Sequence, residues 1–172
     1  MTIHCALSEK SIDDAIREIE RYGKSLESRS ERLVNELAEE VKKNAVNELN
    51  SHYFDDEKFD ETINSLTIEK VDQFTRNVLA GGGAVWIEFG TGVVANPVGV
   101  GGYAHPKAAE LGMYGIGEYG HGWGANPWGW YYYNENGEKI HTYGIPATMF
   151  MYHSAWFAKA KIPEIARRIF RT

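Results

Sequence analysis

The chain has 172 residues, 18 Lys+Arg against 24 Asp+Glu and a formal charge of −6; this size predicts one domain, 1–172, and the 43% hydrophobic content is that of a globular protein rather than a disordered one. The acidic balance argues against sequence-specific nucleic-acid binding, and no apolar run reaches the ~18–20 residues of a membrane helix. The single cysteine, Cys5, excludes an internal disulfide and a zinc site of several cysteines, while Met1-Thr2-Ile3-His4-Cys5 has no secretion-signal pattern, so an intracellular protein is expected.

Residues 8–50 hold 11 acids, 8 bases and one glycine, Gly23, and read as helical. Ser11 is expected to cap a first helix whose apolar stripe is Ile12, Ala15, Ile16 and Ile19. Gly23 is expected to interrupt or kink it. Leu26, Leu33, Leu37, Val41, Ala45 and Leu49 then share one face of a further helix, with Glu36, Glu39, Glu40, Lys42 and Lys43 on the others.

Strands are expected over 62–92. Leu66 and Ile68 alternate with polar neighbours, Phe74–Leu79 forms a second strand, and Val85, Ile87 and Phe89 are the inward set of a third. Gly81-Gly82-Gly83 reads as the hairpin connection before that third strand.

Residues 93–143 form a glycine- and aromatic-rich insertion. Within it, Trp128–Glu135 and Glu138–Tyr143 flank Asn136-Gly137, a strong hairpin signal. C-terminal helices are expected over 147–171. The first, Met149–Lys161, would face inward with Met149, Tyr152, Trp156 and Ala160. Pro163 would end it and open a short second helix with Ile165, Ile169 and Phe170 inward.

Catalytic and cofactor signals are weak. Gly90-Thr91-Gly92-Val93-Val94-Ala95 and Gly115-Ile116-Gly117-Glu118-Tyr119-Gly120 match dinucleotide fingerprints, but neither precedes a plausible helix that could hold a pyrophosphate. His105, His121, His141 and His153 have no metal-ligand spacing. A folded cluster of histidine with Glu88, Glu110 or Glu118 is possible without being specified. Glu88 near Trp86 could serve as a buried general acid, yet lacks an identifiable second carboxylate. No catalytic residue, cofactor or metal is therefore assigned. The rings of Trp123, Trp128, Trp130, Tyr131, Tyr132 and Tyr133 fit a subunit interface, local packing or a glycan platform.

The string Val85-Trp86-Ile87-Glu88-Phe89-Gly90-Thr91-Gly92 resembles the EFGTG signature of the tail-component family of long-tailed bacteriophages and prophages, the head–tail joining or tail-completion proteins. Thr142-Tyr143-Gly144-Ile145-Pro146-Ala147, followed by Phe150, is similar to a second motif of that family, and the helical start fits its layout. Thr148-Met149 departs from the Arg or Asn and second proline common in the family, and Val93-Val94-Ala95-Asn96-Pro97 is uncharged where the family is often basic.

The resemblance implies an α+β fold: a long N-terminal helix and a C-terminal helix packed on a small, mainly antiparallel sheet, with the Gly/aromatic insertion projecting. It implies a non-enzymatic particle component joining the head connector to the tail tube. Such a protein would form a ring, six-fold by the family parallel, and reside in the virion after assembly from the bacterial cytoplasm. Assembly candidates are Trp86, Glu88, Phe89, Gly90, Thr91 and Gly92 of the first motif, and Thr142, Pro146, Ala147 and Phe150 of the second. Trp128, Trp130 and Tyr132 of the hairpin, and Arg167 and Arg168 of the basic end, complete the set. Glu88 could accept backbone N–H groups or meet an Arg of another subunit. The basic end would face the acidic 51–80 stretch of a neighbour. The other readings are a glycan- or cell-wall-binding module built on the hairpin, and a cell-wall hydrolase.

Overall fold

A computed structural model of the chain describes residues 8–52, 57–90, 105–107, 110–111, 130–134, 136–142, 144 and 147–171. Its elements run α1 (Glu9–Ser51), α2 (Glu57–Ser65), β1 (Thr67–Lys70), β2 (Arg76–Leu79), α3 (Ala84–Phe89), β3 (Trp130–Tyr133), β4 (Lys139–Thr142) and α4 (Phe150–Phe170). The architecture is the expected mixture of a long N-terminal helix, a C-terminal helix and small antiparallel sheets.

The N-terminal section forms a single helix. Ser8, not Ser11, is its cap: the Ser8 hydroxyl accepts the Ser11 amide at 3.3 Å. Gly23 does not break it, because a lone glycine costs a helix only about 1 kcal/mol relative to alanine and good helix formers flank it. Forty-three residues make a rod about 65 Å long.

Residues 62–65, at the start of the expected strand region, instead end the helix α2, in which Phe59 and Thr62 are buried at i, i+3 spacing. The first hairpin is shorter than expected. β1 and β2 pair antiparallel, Thr67 opposite Leu79 and Lys70 opposite Arg76. An Asx turn reverses the chain, the Asp72 carboxylate accepting the Phe74 amide at 2.6 Å. The hairpin is tied to α1 by Lys70 Nζ on Glu31 (2.6 Å) and Arg76 Nε on Asn35 (2.7 Å).

The expected third strand is a helix. Ala84, Ile87 and Glu88 are buried at i, i+3, i+4, while Val85 and Trp86 are exposed. A six-residue apolar run has no periodicity long enough to separate the two states, and here burial against α2 and α4 selects the helix. The glycine triplet accordingly leads into α3 instead of joining strands, with Ala84 N–H bonded to the Gly81 carbonyl and Gly82 at φ +60°.

The Asn-Gly hairpin forms as expected over the described residues: Trp130 faces Thr142 and Tyr133 faces Lys139. Gly137 supplies the positive φ (76°) of its turn.

α4 runs unbroken through Pro163 to Phe170. Proline removes one helix hydrogen bond, but Ile165 and Ile169 beyond it are buried and Arg168 pairs with Glu36 of α1. The buried face is Phe150, Ser154, Ala158, Ile165 and Ile169. The expected inward face, Met149–Tyr152–Trp156–Ala160, is turned the other way, and Trp156 is 55% exposed. α4 lies antiparallel on the C-terminal half of α1, with His153, Lys161 and Arg168 meeting Glu48, Glu40 and Glu36 in turn. One core joins these elements: Ala45 and Leu49 of α1, Phe59, Leu66, Ala84, Ile87 and Phe150.

Candidate functional site

The first motif meets, in space, the residues that directly follow Ala147 of the second. The Thr148 amide and hydroxyl both donate to the Ile87 carbonyl, at 3.0 and 2.9 Å. The Met149 amide donates to the Glu88 carbonyl at 3.1 Å. The C-terminal end of α3 is thus fastened to the N-terminal end of α4 through backbone groups that both helices leave unpaired.

Glu88 completes the junction. It is 7% exposed, and its carboxylate accepts the amides of Met151 (Oε2, 2.8 Å) and Tyr152 (Oε1, 3.0 Å) in the first turn of α4. Met149 precedes α4 in a left-handed conformation (φ 55°) and gives no side-chain cap. A carboxylate from a distant helix therefore takes the capping role, where the helix dipole also favours negative charge.

His105 closes the cluster from the insertion. Its Nε2 lies 2.9 Å from Glu88 Oε1, and its Nδ1 accepts the Lys107 amide at 3.0 Å. A backbone amide can only donate, so Nδ1 is unprotonated and Nε2 carries the hydrogen that Glu88 accepts. The ring packs on Phe89 (centroids 4.3 Å apart) and edge-on to Tyr152 (5.3 Å). Among the described residues no buried side-chain polar atom lacks a partner.

This arrangement uses the Glu88 lone pairs to hold structure. The expectation that Glu88 lies on a strand is corrected, since it stands on α3; of the two roles open to it, the one seen is acceptance of backbone amides. Phe89 and Gly90 are buried beside it. Gly90 adopts φ 74°, ψ 162°, a region that essentially only glycine occupies. Trp86 stands exposed on α3, and Thr91 and Gly92 lie outside the described residues.

Of the second motif, Phe150 is fully buried, Ala147 is half-buried, and Thr142 Oγ1 accepts the Gly144 amide. Pro146 lies outside the described residues. So do Trp128, Trp123, the side chain of Trp130 and both glycine fingerprints beyond Gly90. Tyr132 is exposed on β3, as are Tyr131 and Tyr133.

The basic end lies along α1. Arg168 and Lys161 pair with Glu36 and Glu40 of α1 in the same chain, because α4 lies along α1. Arg167 is exposed. The residues that sequence reasoning did not assign are His105, as the partner of Glu88, and Thr148. A histidine accepting the amide two positions on, and a threonine reaching across 61 residues, leave no periodic signal.

Among the described residues no group of three or more His, Cys, Asp or Glu is placed to hold a metal ion, and no helix is long and apolar enough to cross a membrane. Compared with models of protein families, with characterised proteins and with solved structures, the chain has no match.

Proposed function

We propose that this chain is a non-catalytic structural component of a bacteriophage or prophage particle, a tail-completion or neck protein that joins the head connector to the tail tube as a ring of identical subunits. The observation that supports the reading is the α3–α4 junction. Ile87 and Glu88 of the first motif hydrogen-bond to Thr148, Met149 and Met151, which flank Ala147 and Phe150 of the second, and Ile87 and Phe150 share one core although they are far apart in the chain. Two motifs that share one junction behave as the signature of a fold, which unrelated chance matches would not. Glu88 and Gly90 have structural work to do there.

The test is genetic. Deleting the gene from an inducible lysogen should release filled heads and separate tails, visible by electron microscopy, with infectivity restored by the gene in trans. Intact infectious particles from the deletion strain would overturn the reading.

One observation favours a second reading. Tyr131 and Tyr133 stand on one face of β3, both exposed, as stacking platforms for a glycan would. Titrating intrinsic fluorescence with cell-wall oligosaccharides separates this reading from the first, which expects no change.

A further inference from the structure

Among the described residues, two apolar stripes are left largely uncovered. The first is on α1. Ile12, Ile16, Ile19 and Tyr22 recur at helical spacing and are all exposed, Ile16 at 49%. They continue the stripe that, further along the same helix, buries Ala45 and Leu49 in the core. The stripe outruns its partner: α4 is pinned to α1 by pairs at Glu48, Glu40 and Glu36, and the first hairpin reaches Glu31. From Glu9 to Lys24 the helix is an arm of about 24 Å.

The second stripe is on α4. Tyr152, Trp156 and Ala160 align on the side opposite Ser154, Ala158 and Ile165. Trp156 and Ala160 are exposed, and Lys159 Nζ sits 4.9 Å above the Trp156 ring. Arg167 is exposed on this same side.

The stripes are opposite in charge. Around the isoleucines, residues 9–20 carry five acids (Glu9, Asp13, Asp14, Glu18, Glu20) against two bases, with Arg21 and Lys24 following at the inner end of the arm; of the five bases in 159–171, Lys161 and Arg168 pair with α1, leaving Lys159, Arg167 and Arg171 against Glu164. Arm against arm would bring like charge together; arm against the outer face of α4 brings unlike charge together around a tryptophan and basic side chains, the residue types that anchor interfaces.

We infer that the α1 arm of one subunit docks on the outward Trp156–Ala160 face of α4 in a second copy of this chain. The contact is heterologous, since each copy offers an arm and a receiving face, and repeated around an axis it closes a ring. This deepens the proposed function, on which it rests for the ring alone.

The experiment uses the full chain in a Cys5→Ser background. One preparation carries Ile16→Cys and another Ala160→Cys; they are mixed and treated with a short bis-maleimide. Intermolecular 16–160 linkage, identified by mass spectrometry, is the expected product. Ile16→Asp should shift the sedimentation coefficient to that of the monomer while leaving the helical circular dichroism unchanged. Linkage of 16 only to 16 would overturn the inference in favour of paired arms. A parent protein that sediments as a monomer at every concentration would overturn it outright. Neither failure bears on the lysogen experiment, and released intact particles would leave a 16–160 contact standing.

Discussion

His105 Nε2 lies 2.9 Å from Glu88 Oε1, and that contact closes a hydrogen-bonded chain from the Lys107 backbone to the first turn of α4. Glu88 stands at its centre, accepting from the His105 ring and from two helix amides at once. Three parts of the chain that share no local sequence relationship are held by one carboxylate.

Glu88→Ala should therefore destabilise the subunit itself, by about 2–4 kcal/mol, through loss of the α4 cap and exposure of unpaired buried donors. Glu88→Gln keeps one acceptor oxygen and should cost less. Urea unfolding followed by circular dichroism measures both; an unchanged midpoint for the alanine variant would show that the carboxylate is not an internal anchor.

Gly90→Ala should cost about 1–3 kcal/mol, because φ 74° with ψ 162° is strained for any residue with a Cβ. Thermal unfolding is the measurement. A loss below about 0.5 kcal/mol, the range of ordinary surface substitutions, would mean that the backbone relaxes freely at this turn.

The two halves of the α1 stripe should respond differently to truncation. Leu49 is fully buried, so Leu49→Ala should cost about 3–5 kcal/mol. Ile16→Ser, measured in dilute protein where copies are dissociated, should stay within about 0.5 kcal/mol. Equal losses at both positions would place Ile16 in the subunit core.

Acid should loosen the α1–α4 clamp. The hydrogen bond from Lys161 holds the Glu40 carboxyl below its ordinary value of 4.5, helped by the charges of Lys161, Lys43 and Arg168 and opposed by burial. A carboxyl lowered in the folded state contributes its stability in full above the unfolded pKa and loses it as pH falls through the folded one. The stability gap between the parent protein and Glu40→Gln should thus be largest near neutral pH and narrow below about pH 4.5. A gap constant down to pH 2 would assign the effect of the variant to packing.

The sequence alone determined what depends on neighbours along the chain. The helical spacings of Ile12–Ile19 and of Leu26–Leu49 make helix on either side of Gly23 wherever they lie, and Asn136-Gly137 makes a turn because Gly137 can take positive φ. Ile68 alternating with polar neighbours makes half of a hairpin. What the tertiary structure decided is everything that depends on which surfaces are taken. Residues 84–89 satisfy strand and helix patterns equally, and only burial of Ala84, Ile87 and Glu88 against α2 and α4 makes them helical. α4 offers two faces: the stripe of larger aromatics, Tyr152 and Trp156, was the more legible, yet the small residues Ser154 and Ala158 allow the close approach of α1 and win the interior. Glu88 looked like a strand-edge charge until the first turn of α4, 63 residues away, came into reach of its oxygens. Periodicity is a local quantity, but the partner of an unpaired helix amide is settled only when the chain closes on itself.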